Sequence, residues 1–342
     1  MDRSTTVLVQ NLEEQHSAET QDIPLSTLKQ LSKKDKRARS STSILRRSIS
    51  DSVERNVCHR VGLHQACREG LIGLVRALIK GDASAIYKID EEGLAPIHHA
   101  TRYDHVEIVE LLIAGGADPN ICSKDENKCA TPLQVAARFN SPATARLLLF
   151  RGADVAKKST YGQQALHYAA RRGNLAVVEV LLREGMADAN ATDNENSTPL
   201  HAASQEGKLN VVEILLNHGA DPRMSDNDGY TAVHLAAKEG HGDVLETLLS
   251  TARKVDVSLA TILNKMNNDA NSCLHLAVQY RHIKSAEVCI KYGADTCVLQ
   301  EDLFSPLHVA CINSHYEMAK LLLSNGACID AEDADGMTPI LR

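Results

Sequence analysis

A short string returns down this chain at intervals close to thirty-three residues: a small or polar residue, often Pro, an aliphatic residue, His, one variable residue and Ala. It reads Ala95-Pro96-Ile97-His98-His99-Ala100, Gln164-Ala165-Leu166-His167-Tyr168-Ala169 and Thr198-Pro199-Leu200-His201-Ala202-Ala203. It returns as Thr231-Ala232-Val233-His234-Leu235-Ala236, Ser272-Cys273-Leu274-His275-Leu276-Ala277 and Ser305-Pro306-Leu307-His308-Val309-Ala310. Self-similarity of this length marks a stacked array, in which each unit buries its apolar face only against its neighbours. Function in such an array lies on an extended surface more often than in an enclosed pocket.

Measured from the aliphatic residue before the His, units begin at Leu63, Ile97, Leu133, Leu166, Leu200, Val233, Leu274, Leu307 and Ile340, at intervals of 34, 36, 33, 34, 33, 41, 33 and 33. Residues 198–219 show what one unit encodes. Thr198 can cap a helix, and Pro199 at its first position forfeits nothing because that amide has no intrahelical partner. Leu200, Ala202 and Ala203 give a narrow apolar face, and Gly207 stops the helix in a left-handed backbone that suits a residue without Cβ. Val211, Val212, Ile214, Leu215 and Leu216 supply a broader face for a second helix. Gly219-Ala220-Asp221 ends it and opens a hairpin toward Asp226-Asn227-Asp228-Gly229. The expected fold is an all-α solenoid of about eight complete units and a truncated ninth, spanning 57–342.

Residues 1–56 differ in kind. They are polar, without a sustained apolar period, and read as a disordered tail. Lys33, Lys34, Lys36, Arg37, Arg39, Arg46 and Arg47 form a basic cluster with Ser40, Ser41, Ser48 and Ser50 interleaved. It reads as an import tag, a contact for anionic lipid, a kinase target, or simply a solvated segment.

The net charge of −7 disfavours general nucleic-acid binding, which needs a basic face. Nine cysteines without a Cys-x-x-Cys pair suggest reduced thiols and a cytoplasmic setting. The nearest pair, Cys122 and Cys129, lacks two further ligands at metal-site spacing. No apolar run reaches the ~20 residues that span a bilayer. No catalytic set, phosphate loop, metal site or cofactor site stands out, so the expected protein is not an enzyme.

Seven of the fifteen histidines, His64, His98, His167, His201, His234, His275 and His308, occupy one repeat position. A group duplicated with the scaffold reads as structural, a hydrogen-bonding residue at each turn–helix junction. Near the end of each first helix a second position carries Arg68, Arg102, Arg138, Arg171 with Arg172 beside it, and later Lys238. Cations there complement the helix dipole. The alternative reading is a partner-binding strip that recognises an acidic or phosphorylated segment.

The signpost and the Gly-Ala-Asp stop resemble the ankyrin repeat, Asp-x-x-Gly-x-Thr-Pro-Leu-His-x-Ala followed by Leu-Leu-x-x-Gly-Ala-Asp. The resemblance covers 57–342 and departs at Gln134, where the His is missing, and in the two longest intervals. It implies first helices lining a concave face beside the hairpin tips, and protein partners there. The longest interval carries an insertion, Ser250 to Asn268, expected as a longer helix end or a finger. Ile262-Leu263-Asn264-Lys265-Met266-Asn267-Asn268 leading into Cys273-Leu274-His275-Leu276-Ala277 is similar to the N-terminal ankyrin region of TRPA-type transient receptor potential cation channels. That resemblance implies a stack on the cytosolic face of a membrane, in a channel that could be tetrameric. The chain ends as a further unit begins, Gly336-Met337-Thr338-Pro339-Ile340-Leu341-Arg342, which suggests a fragment of a longer protein. The other reading is a freestanding cytosolic or nuclear ankyrin adaptor.

Overall fold

The computed structural model describes residues 61–124, 129–254 and 258–342; the basic tail expected at 1–56 lies outside them. Among the described residues the regular elements are helices, with one isolated antiparallel bridge between Ser225 and Thr231. They form eight antiparallel pairs: α1 (Leu63–Glu69) with α2 (Ile72–Gly81), α3 (Pro96–Arg102) with α4 (Val106–Ala114), α5 (Pro132–Phe139) with α6 (Pro142–Phe150), and α7 (Ala165–Arg172) with α8 (Leu175–Arg183). They continue as α9 (Pro199–Gln205) with α10 (Leu209–Asn217), α11 (Ala232–Lys238) with α12 (Gly242–Lys254), α14 (Cys273–Gln279) with α15 (Ile283–Lys291), and α16 (Pro306–Ile312) with α17 (Tyr316–Ser324). A short α13 (Leu259–Leu263) and a 3-10 turn (Ala83–Tyr87) stand outside the pairs.

Helices of two turns are marginal alone, so packing must hold them. First helices stack on first helices and second on second along the array. The signpost Ala makes this possible: Ala66, Ala100, Ala136, Ala169, Ala203, Ala236, Ala277 and Ala310 are all fully buried. A methyl at that position lets adjacent backbones approach, which a longer side chain forbids. The second helices fill the broader layer with Leu112, Leu148, Leu181, Leu215, Leu248 and Leu322, again fully buried. One continuous apolar ribbon therefore runs from Leu63 to Ala327.

The long interval is resolved into two pieces. The second helix α12 runs for 13 residues, against nine in most others, and α13 follows. Ile262 and Leu263 of α13 are buried, and the Cys273 thiol donates to the Leu263 carbonyl at 3.3 Å. The returning limb is thus tucked into the core, not projected as a finger, because its two aliphatic residues have more to gain from the stack than from water.

The cysteines also depart from expectation. Cys122 is bonded to Cys129 and Cys297 to Cys328, with Cα atoms 4.7 and 5.8 Å apart; Cys67, Cys273, Cys289 and Cys311 are free thiols. Scanning for Cys-x-x-Cys spacing missed both: Cys122 and Cys129 lie seven residues apart in one inter-unit segment, and the repeat brings Cys297 and Cys328 together. Elsewhere the residue two after the stop Asp ties its unit to the next: the Asn120 carboxamide accepts from the Asp154 amide at 2.7 Å, and Asn190 accepts from the Asp221 amide at 2.8 Å. Cys297 and Cys328 occupy those same two places. A covalent link thus replaces an amide link at one joint. Reduction is expected to destabilise the last two units by about 3–4 kcal/mol, from the chain entropy of a loop of roughly thirty residues. In a Cys122→Ser/Cys129→Ser background, which removes the other disulfide, adding Cys297→Asn/Cys328→Asp should make urea unfolding indifferent to reductant. A wild-type urea profile that reductant leaves unmoved would refute this.

Candidate interaction surface

The signpost histidines act as two-ended clamps. In His98, His167, His201, His234, His275 and His308, Nδ1 accepts from the backbone N–H three residues earlier, at 3.1–3.4 Å. That acceptor role fixes the proton on Nε2, which donates to a carbonyl leading into the next unit: Ala130, Ser197, Tyr230, Lys265, Phe304 and Met337, at 2.9–3.1 Å. His64 makes the same outer bond to the Lys88 carbonyl at 2.9 Å. Where the residue before the helix is Thr or Ser, its hydroxyl also receives the His backbone N–H. Both ring nitrogens of each clamped histidine are thus occupied by the backbone, and Nδ1 is not left over as a base for a substrate.

Burial favours the neutral ring and lowers the pKa of His98, His167 and His201; for His234 and His275 it reaches about 4. The departure at Gln134 turns out to be a chemical equivalent. Its Oε1 accepts from the Thr131 amide at 2.9 Å, as Nδ1 does, and its Nε2 donates to the Lys157 and Gln163 carbonyls at 2.7 and 3.1 Å.

A second histidine series escaped the sequence reading, although its signal was present: His105, His241, His282 and His315 each follow a signpost His by seven residues. His105 and His241 bond the carbonyls of Arg68 and Gln205, and His315 that of Val278, closing the last turn of the preceding unit's first helix. Gly207 and Gly240 are required here twice over. Each has positive φ, and a Cβ at either would lie 2.6 and 2.5 Å from the rings of His241 and His282.

The cationic positions divide into four groups. Arg68 is held by Glu92 at 3.0 Å. Lys238 lies between the Tyr230 and Tyr280 rings, 5.1 and 5.8 Å from their centroids. Arg102 sits over Phe139 at 4.5 Å and near Tyr103 at 5.8 Å, with Arg138 5.6 Å from Phe139. Arg171 and Arg172 are exposed. Among the described residues no carboxylate is in ion-pair contact with Arg102, Arg138, Arg171 or Arg172. The aromatic members were overlooked because attention fell on charge, yet Tyr103, Phe139 and Tyr280 each directly follow the cationic position or its equivalent. They remain 46%, 39% and 45% exposed, so each leaves part of its ring open to solvent beside the cationic positions.

This geometry, paired short helices in register with His clamps and Gly-Ala-Asp stops, defines a class of repeat protein. The family described as ankyrin repeats (3 copies) matches residues 38–122, 63–159, 120–193, 166–260 and 255–333. The chain belongs to the ankyrin-repeat family. Human transient receptor potential cation channel subfamily A member 1 is 29% identical over 317 residues, covering 80% of this chain and 28% of that protein. The Caenorhabditis elegans homologue of that channel is 30% identical over 155 residues, covering 45% of this chain and 12% of its own length. The mouse B-cell lymphoma 3 protein homologue is 34% identical over 143 residues, covering 41% and 31%. The chain therefore spans under one third of each of these relatives. No helix among the described residues is long and apolar enough to cross a membrane.

Proposed function

We propose that the array is a non-catalytic protein-binding solenoid serving as the cytosolic ankyrin region of a TRPA-type cation channel. The observation that carries this reading is the alignment with the human channel, which extends over 80% of the chain where a match to a few generic repeats would not. In that setting the stack sits at the cytosolic face of the membrane, in a channel assembled as a tetramer, and its first-helix face and hairpin tips receive protein segments. The similarity to B-cell lymphoma 3 protein favours a second reading, a freestanding cytosolic or nuclear adaptor.

Sequencing the transcript beyond the Arg342 codon separates the two. Further units followed by six apolar spans support the channel; a stop codon there in every transcript supports the adaptor. The strip of Arg102, Arg138, Arg171 and Arg172 is the part of the face that takes an acidic partner. Changing Arg102 and Arg138 to Glu is expected to weaken binding of a labelled polyglutamate chain at least tenfold at low salt. An unchanged affinity in the variant rejects the strip.

A further inference from the structure

We infer that the strip is built for an acidic segment in the polyproline II conformation, with a carboxylate at every third residue. This rests on the strip reading above and adds the shape and spacing of the ligand. Arg102, Arg138 and the Arg171–Arg172 pair come from equivalent places on α3, α5 and α7, three consecutive first helices. Packed helices lie about 8–10 Å apart, so the cations form rungs of that spacing.

Two extended conformations can lie across such rungs, and their periods differ. A β-strand returns a side chain to the same face every second residue, roughly 6.6 Å, or every fourth, roughly 13 Å. Neither matches a rung. A polyproline II helix has three residues per turn with about 3.1 Å rise, and returns a side chain to one face every ~9.3 Å. Carboxylates at i, i+3 and i+6 then meet successive guanidinium groups.

The rings support the same occupant. Tyr103 and Phe139 are half-exposed at the ends of α3 and α5, and Arg102 lies against both. Arg102 covers one side of Phe139 and His105 stacks on Tyr103, and the rest of these half-exposed rings is apolar surface of the kind pyrrolidine rings dock on; a proline-rich chain loses little entropy on binding because it is already extended. Charge complementarity chooses acidic over neutral proline-rich chains. By contrast the same position in the first unit is neutralised by Glu92, and in the sixth the Lys238 ammonium is flanked by two tyrosines. The receptive length is therefore three rungs, which a segment of seven to nine residues spans.

The test uses two fluorescein-labelled nonapeptides of one composition, measured by anisotropy on the intact chain. One is Glu-Pro-Pro repeated three times; the other has its three Glu together, followed by six Pro. The spaced peptide is expected to bind at least tenfold more tightly. Arg138→Glu with Arg171→Glu should abolish that preference, and Phe139→Ala should reduce it several-fold, with circular dichroism verifying that each variant is folded. Equal affinity for the two peptides, both weakened by charge reversal, overturns the period and conformation while leaving an acidic-partner strip. Failure of both peptides to bind, or binding indifferent to charge reversal, overturns the inference and the strip together. Tighter binding of a labelled oligothymidylate than of the spaced peptide likewise overturns it.

Discussion

Taking the protein from pH 7 to pH 4 is expected to lower its unfolding free energy by about 6 kcal/mol through His234 and His275 alone. Burial holds both imidazoles near pKa 4, against an ordinary value of 6.5. Between those values the unfolded chain binds the proton and the native clamp does not, so stability rises with pH across that window. The contribution is fully present above about 6.5 and is lost as pH falls through about 4. Each displacement, from 6.5 to about 4, corresponds to about 3 kcal/mol. His98, His167 and His201 are displaced in the same direction. The carboxylate of Asp82, held near 2 by hydrogen bonds from Lys88 and Ser84, titrates below this window and does not confuse it. His234 and His275 belong to neighbouring units, so the loss should fall on one stretch of the array. Urea midpoints followed by circular dichroism at pH 7, 5.5 and 4.5 provide the measurement, and equal midpoints at the first and last would sink the argument.

Replacing His234 by Ala and by Gln should have very different consequences. Alanine leaves the Thr231 amide and the Lys265 carbonyl without the partners they have at 3.2 and 2.9 Å, and opens a void at a fully buried position. Orphaned buried groups cost about 1–3 kcal/mol each, and the void adds to that, for a total of about 3–5 kcal/mol. Glutamine should lose no more than about 1 kcal/mol, because Gln134 already performs both roles in the third unit. It should also flatten the pH profile, since an amide does not titrate there. His234→Gln and His234→Ala variants with equal thermal midpoints would show that the clamp is dispensable.

Much of this was legible in the residues. The period, the proline at the start of several first helices, the Gly-Ala-Asp stops and the repeated His all act locally, and the structure puts helices and turns where they point. Reading the His as structural required only noticing that it is duplicated with the scaffold. What escaped the sequence involved partners a unit apart. The His105, His241, His282 and His315 series was visible as a spacing of seven, but the bonds of His105, His241 and His315 to carbonyls of the preceding unit exist only after stacking. Gln134 looked like a lost histidine until the two carbonyls on its amide were seen. The Cys297–Cys328 pair was missed because spacing rules for disulfides and metals ignore a repeat that brings residues 31 apart into one joint.

The sequence by itself determined that the chain is a one-dimensional array of helix pairs, because helix starts, stops and apolar periods are properties of a few consecutive residues. Only the tertiary structure decided which repeated groups link neighbouring units and which face outward. Arg68 and Arg102 occupy equivalent places in their helices, yet one is neutralised by Glu92 and the other lies over the Phe139 ring of the next unit. That difference is made by the neighbour each arginine meets across the stack, and contacts over twenty or more residues of sequence are set by how the units pack.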